Sequence, residues 1–242
     1  MIVTIHQPEH LPWLGFFNKV DQAELLVILD VVQYRKNYFQ NRNRILSPQG
    51  SFWLTVPVIT KGHTSKTIKD MEISNTTNWR DSYWKSIYYN YKNHPFFNDY
   101  ATFFEDICKK EWQFLAELNE HIIYYFVDIL GIKTKIILAS ELNVGGTRSD
   151  LLLDICLKTN ASTYLAGQHG IDYLDETIFK EKGINVMYHQ FSHPVYSQFR
   201  RKEFISHLST LDLIFNHGKE SLQIIRSGSN KKDSVINPLN ES

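Results

Sequence analysis

The pattern of apolar and polar positions changes twice along the chain, which divides it into three regimes. In the first, Ile2, Val3 and Ile5 are apolar residues of high β-propensity that run into a polar cluster, His6-Gln7-Pro8-Glu9-His10. Leu11, Leu14, Phe17 and Val20 then recur at helical spacing, with Lys19 and Asp21 off that face. A second apolar run, residues 25–29, ends at Asp30 and predicts a buried strand. Strand, polar loop, helix and strand make a β-α-β unit. Residues 52–58 alternate as a strand behind the turn Ser47-Pro48-Gln49-Gly50, which makes residues 43–46 a hairpin partner.

From residue 78 to 131 the period becomes helical and the run aromatic, with Trp79, Tyr83, Trp84, Ile87 and Tyr91 on one face and Gly131 as a stop. An aromatic stripe at this spacing is core, so no chemistry is assigned to it. From Lys133 the α/β pattern returns. Strands are expected at residues 135–139, 163–166 and 184–188, with helices at 150–158 and 172–182 between them. A last helix is expected near residues 211–215. The fold class that follows is α/β: a Rossmann-like parallel sheet flanked by helices, with an inserted aromatic-rich helical segment. Residues 1–226 are expected to form one domain, and 227–242, rich in Ser, Asn, Lys and Gly, a disordered tail.

Composition narrows the classes of function. Lys plus Arg and Asp plus Glu both number 26 in the 242 residues, so no global field attracts nucleic acid or anionic membrane. The two cysteines, Cys108 and Cys156, lie in apolar helical patterns and are expected to be core thiols in a reducing compartment. With no leader-like start and no apolar run of about 20 residues, a cytoplasmic chain without a membrane span is expected.

In open α/β sheets ligands sit beyond the carboxyl ends of the strands. Both the 6–10 cluster and the stretch from Asp30 to Gln33 fall there. Gly167-Gln168-His169-Gly170 follows a strand and is expected to precede a helix, so Gly167, His169 and Gly170 are candidate phosphate or cofactor contacts. The loop is neither a Walker A sequence nor a full dinucleotide fingerprint. His6 and His10 are four residues apart, but Pro8 and Pro12 keep them off a shared helix face. With no H-E-x-x-H and no Cys/His zinc pattern, neither zinc nor haem is expected. Asp30 is a candidate ligand for Mg²⁺ arriving with a nucleotide. No G-x-S-x-G elbow is present, and Cys156 lacks a thiolate-stabilising neighbour. Residues 34–44 mix bases with aromatics as single-strand binders do, which leaves a nucleic-acid module as the non-enzyme alternative.

Ile5-His6-Gln7-Pro8, Leu11-Pro12-Trp13-Leu14-Gly15-Phe16-Phe17 with Lys19, and Leu29-Asp30-Val31-Val32-Gln33 resemble the opening motifs of the WbqC-like family. Asn41-Arg42-Asn43-Arg44-Ile45, Trp53-Leu54-Thr55-Val56-Pro57, Tyr164-Leu165-Ala166-Gly167 and residues 207–216 extend the likeness over about residues 1–220. That resemblance implies a role in bacterial O-antigen or other surface-polysaccharide synthesis, with acyl or aminoacyl (glycine-type) transfer to an amino sugar. The strand, His-Pro loop, helix and strand ending in Asp also resemble the opening of HIGH-motif nucleotidyltransferases and pantoate–β-alanine ligases. His10-Leu11-Pro12-Trp13 departs from their signature, lacking its glycine and second histidine. That second likeness implies ATP with Mg²⁺ and an acyl-adenylate. Transfer from a charged acyl or aminoacyl carrier would need no ATP. The expected small-molecule partner is a nucleotide-linked amino sugar, with nucleic acid disfavoured. His6, Lys19 and Asp30 are the candidate catalytic residues. Gln7, His10, Gln33, Asn41, Arg42 and Asn43 are the candidate substrate contacts. A non-catalytic sugar-nucleotide or nucleic-acid binding module and a glycosyltransferase remain as alternatives.

Overall fold

A computed structural model describes residues 1–229. Of the disordered tail expected at 227–242, Ser227 instead ends a helix and Gly228 and Ser229 accept hydrogen bonds from Ser192 and Asn18, while 230–242 lie outside the described residues. The expected hydrophobic pattern becomes a five-stranded parallel sheet, β1 (Ile2–His6), β2 (Leu25–Ile28), β5 (Lys135–Leu138), β6 (Thr163–Ala166) and β7 (Asn185–Tyr188), in the spatial order β5-β2-β1-β6-β7. The chain builds outward from β1 to β2 and β5, then crosses back to lay β6 on the other side of β1. The strand order therefore reverses between β1 and β6, and their carboxyl ends open a crevice there.

Both faces of this sheet are covered, which is why β1 and β2 are apolar almost without interruption. Leu26 and Ile28 face one core together with α1 (Leu14–Asp21) and α4 (Leu115–Leu130). Val3, Ile5, Leu25 and Val27 face the other, with α5 (Arg148–Lys158) and α6 (Glu176–Glu181). Each such side chain contributes about 1.5–3 kcal/mol on full burial. Thr4, a polar residue inside β1, is satisfied by donating its hydroxyl to the Leu165 carbonyl at 2.9 Å. Cys108 and Cys156 are free thiols, and burial pushes both up to about 12. That protonated state suits the core role expected of them.

The hairpin and the helical insertion also form where expected. β3 (Arg42–Ser47) and β4 (Gly50–Thr55) pair antiparallel around the Pro-containing turn. The aromatic segment folds as α2 (Trp79–Tyr91), α3 (Phe97–Lys109) and α4, and α4 ends at Gly131 in the left-handed conformation. The stripe Trp79, Tyr83, Ile87 and Tyr91 is buried, as an aromatic face at that spacing should be. Among the described residues no helix is long and apolar enough to cross a membrane.

A buried carboxylate ties this insertion to the C-terminal helices. Asp212, in α7 (Thr210–His217), accepts from the Tyr91 hydroxyl at 3.1 Å, the Tyr196 hydroxyl at 2.8 Å and the Gln198 amide at 3.0 Å. The Tyr91 oxygen in turn accepts the backbone N–H of Leu46 in β3 at 2.8 Å. α8 (Ser221–Ser227) then packs on α1. Tyr91→Phe removes one donor to Asp212 and strands the Leu46 N–H in the core. We expect a loss of about 1–3 kcal/mol in urea unfolding with unchanged far-ultraviolet circular dichroism.

Candidate active site

The carboxyl end of β1 gathers a half-buried histidine, His6, with ionisable groups that the solvent barely reaches. His6 closes the strand with its ring edge-on to Phe16 of α1, centroids 4.9 Å apart. Its Nδ1–H donates to the Gln7 carbonyl at 2.9 Å, which fixes the tautomer and leaves a lone pair on Nε2. That nitrogen faces Glu9 Oε1 at 3.9 Å, beyond hydrogen-bond reach. Glu9 keeps only 9% of its side chain exposed, and its Oε2 is buried without any partner. Lys19 projects from α1 beneath the strand end, 3% exposed, and donates to the Ile5 carbonyl at 3.3 Å. His189, just beyond β7, donates from Nε2 to Asn18 Oδ1 at 2.8 Å and completes the group.

Desolvation governs the protonation of all four. It pushes the Glu9 carboxyl up to about 7, against the pull of Lys19. It brings the Lys19 ammonium down to about 7, against the support of Glu9. Burial and then Lys19 take His6 down to about 3 and His189 to about 4, so both imidazoles are neutral at physiological pH. Burial thus moves the Glu9 carboxyl up and the Lys19 ammonium down, each towards neutrality, while two neutral imidazoles stand beside them.

His6 and Lys19, both expected as catalytic, are brought together here. Asp30 is placed apart, at the end of β2. It is 1% exposed, and its Oδ1 accepts the Ser140 N–H at 3.0 Å while its carbonyl accepts the Lys69 N–H at 3.0 Å. Glu120 stands near it, its carboxyl pushed up to about 7 by burial, then by Asp30. Among the described residues no group of three or more His, Cys, Asp or Glu side chains has a metal-holding arrangement. Asp30, the residue expected to meet Mg²⁺, has Glu120 as its carboxylate neighbour here.

The expected substrate contacts divide by burial. Gln7 accepts from Gln40 Nε2 at 2.8 Å and lines the crevice as a half-buried amide. His10 is a correction. It has no exposed surface, its Nδ1–H donates to Asn119 Oδ1 at 2.9 Å, and its Nε2 accepts the Tyr83 hydroxyl at 2.7 Å. Both nitrogens are spent on the protein, so no substrate reaches them. Asn43, also fully buried, donates to the carbonyl of Leu11, a residue held at φ +44°. Asn41 donates to Val56 and is 8% exposed. Both amides brace the protein through their N–H groups, while the Asn41 Oδ1 is buried without a partner. Gln33 is exposed and donates to the Thr64 carbonyl, while Arg42 lies on the outer hairpin.

The 167–170 loop departs from expectation as well. A 3-10 turn, Gln168–Asp172, follows β6, and α6 starts only at Glu176 because Asp175 caps it by accepting the Thr177 N–H. The Gly170 N–H is spent on the Gly167 carbonyl at 2.8 Å, and His169 is 93% exposed. The loop lacks the α-helix N-terminus that the phosphate reading required, so its residues do not fit an ATP-phosphate cradle. Glu9 is the residue that sequence reasoning passed over, although it sits in the polar cluster already singled out. Its signal was a carboxylate between two prolines at a strand end. His189 carried no signal in sequence. Hollows of about 410 Å³ (Glu72, Ile73, Asn75, Glu111, Gln113) and about 260 Å³ (around Tyr196 and Arg201) lie elsewhere and include none of these groups.

The WbqC-like protein family model matches residues 7–224. An uncharacterized protein of Mycobacterium tuberculosis, Rv1507c, is 30% identical over 227 residues, covering 93% of this chain and 97% of that relative. No solved structure matches the chain.

The buried His10 makes a pH prediction. Folded, it takes a proton only near pH 4; unfolded, it does so near 6.5. In that window the unfolded chain binds more protons, so the contribution of His10 to stability is complete above about 6.5 and is lost as pH falls through about 4. We expect His10→Asn to be less stable at pH 7 by about 1–3 kcal/mol. It should also show a shallower fall of unfolding free energy across that window, measured by urea titration at several pH values.

Proposed function

The chain belongs to the WbqC-like protein family, and from that footing we propose that it transfers an acyl or aminoacyl group onto the amine of a nucleotide-linked amino sugar in surface-polysaccharide synthesis. One observation carries the chemistry. Two acceptors, His6 Nε2 and Glu9 Oε1, face each other 3.9 Å apart with no donor between them. A nitrogen flanking the pair, about 3 Å from each acceptor, donates one N–H to Glu9 and another to His6, and a carboxylate whose second oxygen has no partner gains the cation it lacks. A primary ammonium is such a group.

In this reading Glu9 binds the sugar ammonium and takes its proton. His6 accepts a second N–H and holds the nitrogen lone pair toward the acyl carbon. The amine nitrogen forms the new bond to that carbon, its second proton passes through His6 Nε2 to the departing carrier, and the carrier leaves with that proton and the electron pair of the bond it loses. Lys19 touches no substrate. Its charge opposes the desolvation of Glu9 and keeps the carboxylate available near neutral pH. The fold supports the reading by placing this gap at the reversal point of the sheet, where open α/β sheets bind ligands. Nothing in the protonation chemistry requires ATP, and an acyl group that arrives already activated suffices.

The test is amide formation, followed by mass spectrometry, with UDP- and dTDP-amino sugars against acyl and aminoacyl carriers. We expect Glu9→Gln, which keeps the shape and loses the base, to cut turnover by about 10²-fold or more. Wild-type kcat/KM should rise with pH to a plateau with a midpoint near 7, where Glu9 ionises. Full turnover by Glu9→Gln would sink the proposal. So would equal binding of the free amine and its N-acetyl derivative, the result expected of a module that merely binds sugar nucleotides.

A further inference from the structure

The segment between β2 and β3 and the outer face of the hairpin carry cations and aromatics that the cluster does not use. Strand alternation puts Arg42 and Arg44 of β3 on the same outer face as Trp53 and Thr55 of β4. The Arg42 guanidinium stands 4.4 Å from the Trp53 ring centre, and that of Arg35 stands 4.6 Å from the ring of Tyr38. Phe39 joins the two pairs, its ring centre 5.4 Å from Tyr38 and 5.7 Å from Trp53. Tyr38 and Trp53 are 40% and 43% exposed, so each ring that meets a guanidinium also meets water.

These cations lack anions. Among the described residues no carboxylate lies within salt-bridge distance of Arg35, Lys36 or Arg42, in a chain whose formal charges balance. The Arg42 Nε is buried without an acceptor. The patch is also fastened to the reaction site. The Arg35 N–H donates to Gln40 Oε1 at 2.8 Å, and Gln40 Nε2 donates to Gln7 Oε1, directly after β1.

We infer that Arg35–Tyr38 and Arg42–Trp53 are the binding wall for a nucleoside diphosphate, the rings taking the base and the guanidiniums the two phosphates. The inference rests on the amino-sugar reading and deepens it, because it separates the nucleotide end of the substrate from the amine held at Glu9. Guanidinium suits a diphosphate because its planar fork matches phosphate oxygens while its face stacks on an aromatic ring. Two such pairs match two phosphates and one base. A nucleic-acid chain would call for a longer basic track than a charge-balanced protein with one short patch provides. The wall also takes over the phosphate role that the 167–170 loop, with its Gly170 amide internally spent, does not fill.

Isothermal titration with UDP, dTDP and ADP, and with the matching nucleosides, tests the wall. We expect at least one diphosphate to bind the full chain. Arg35→Gln and Arg42→Gln should each weaken it about tenfold, the loss of one charge-assisted contact. Tyr38→Ala and Trp53→Ala should weaken nucleoside and diphosphate alike, and Glu9→Gln should leave diphosphate affinity unchanged. Absence of diphosphate binding, unchanged affinity in both arginine variants, or tighter binding of oligonucleotides with increasing length would each overturn the inference. The two readings fail separately. Diphosphate bound at the wall with no amide formed from any acyl donor removes the transfer reaction and keeps the wall. Amide formation indifferent to all four wall variants does the reverse.

Discussion

The imidazole of His10 decides where the rest of the site can be. It is fully buried, and its two nitrogens join the turn after β1 to two helices of the insertion, through Tyr83 of α2 and Asn119 of α4. Asn119 also donates to the Gln40 carbonyl at 2.7 Å, and Gln40 reaches Gln7 and Arg35 through its side chain. One uncharged histidine therefore stands at the head of a polar chain that fixes the end of the central strand, the segment carrying the aromatic wall, and the helical insertion at once. Burying His10, Asn119 and Gln40 is tolerable because they satisfy one another, and in them satisfaction and positioning are the same set of bonds.

That constraint explains why the loop holds an unfavourable backbone. Leu11, a bulky residue, sits at φ +44°, a conformation that persists only when its surroundings over-determine it. Asn43 holds its carbonyl, Phe39 accepts the N–H of His10, and the Thr210 N–H donates to the Pro12 carbonyl. Gly15 belongs to the same fixation: a Cβ there would stand 2.4 Å from the Trp13 ring, so only glycine lets the indole lie over the start of α1. A loop held from so many directions can keep Glu9 and His6 facing each other across a gap that neither closes.

The same rigidity accounts for the electrostatics. Glu9 and Lys19 would relieve their desolvation by moving to water or onto each other, and neither makes a direct ion pair with the other among the described residues. Held apart and dry, the Glu9 carboxyl is pushed up and the Lys19 ammonium down. Buried ionisable groups with strongly shifted protonation, clustered at a ligand-binding position of the fold, are the pattern expected where a protein handles protons.

The sequence by itself determined the elements and the class. Short continuous apolar runs placed all five sheet strands and a 3.6 period placed the aromatic insertion, because burial on both faces or on one selects residue type locally in step with the backbone. It also pointed to the 6–10 loop, since strand-end polar clusters are where α/β sheets bind ligands. Only the tertiary structure decided which of those polar residues are free. His6 and His10 look alike in sequence, yet one faces Glu9 and the other is consumed by Tyr83 and Asn119, 73 and 109 residues away. Asn43 looks like a substrate amide and is spent on the Leu11 carbonyl and the Arg44 N–H, whereas Asn41 keeps an unpartnered oxygen. The pairing of Glu9 with Lys19, and the approach of His189 to Asn18 across 171 residues, follow from the closing of the sheet. Whether a polar group is spent or available depends on the partners that folding brings to it, and residue type and local period carry no record of them.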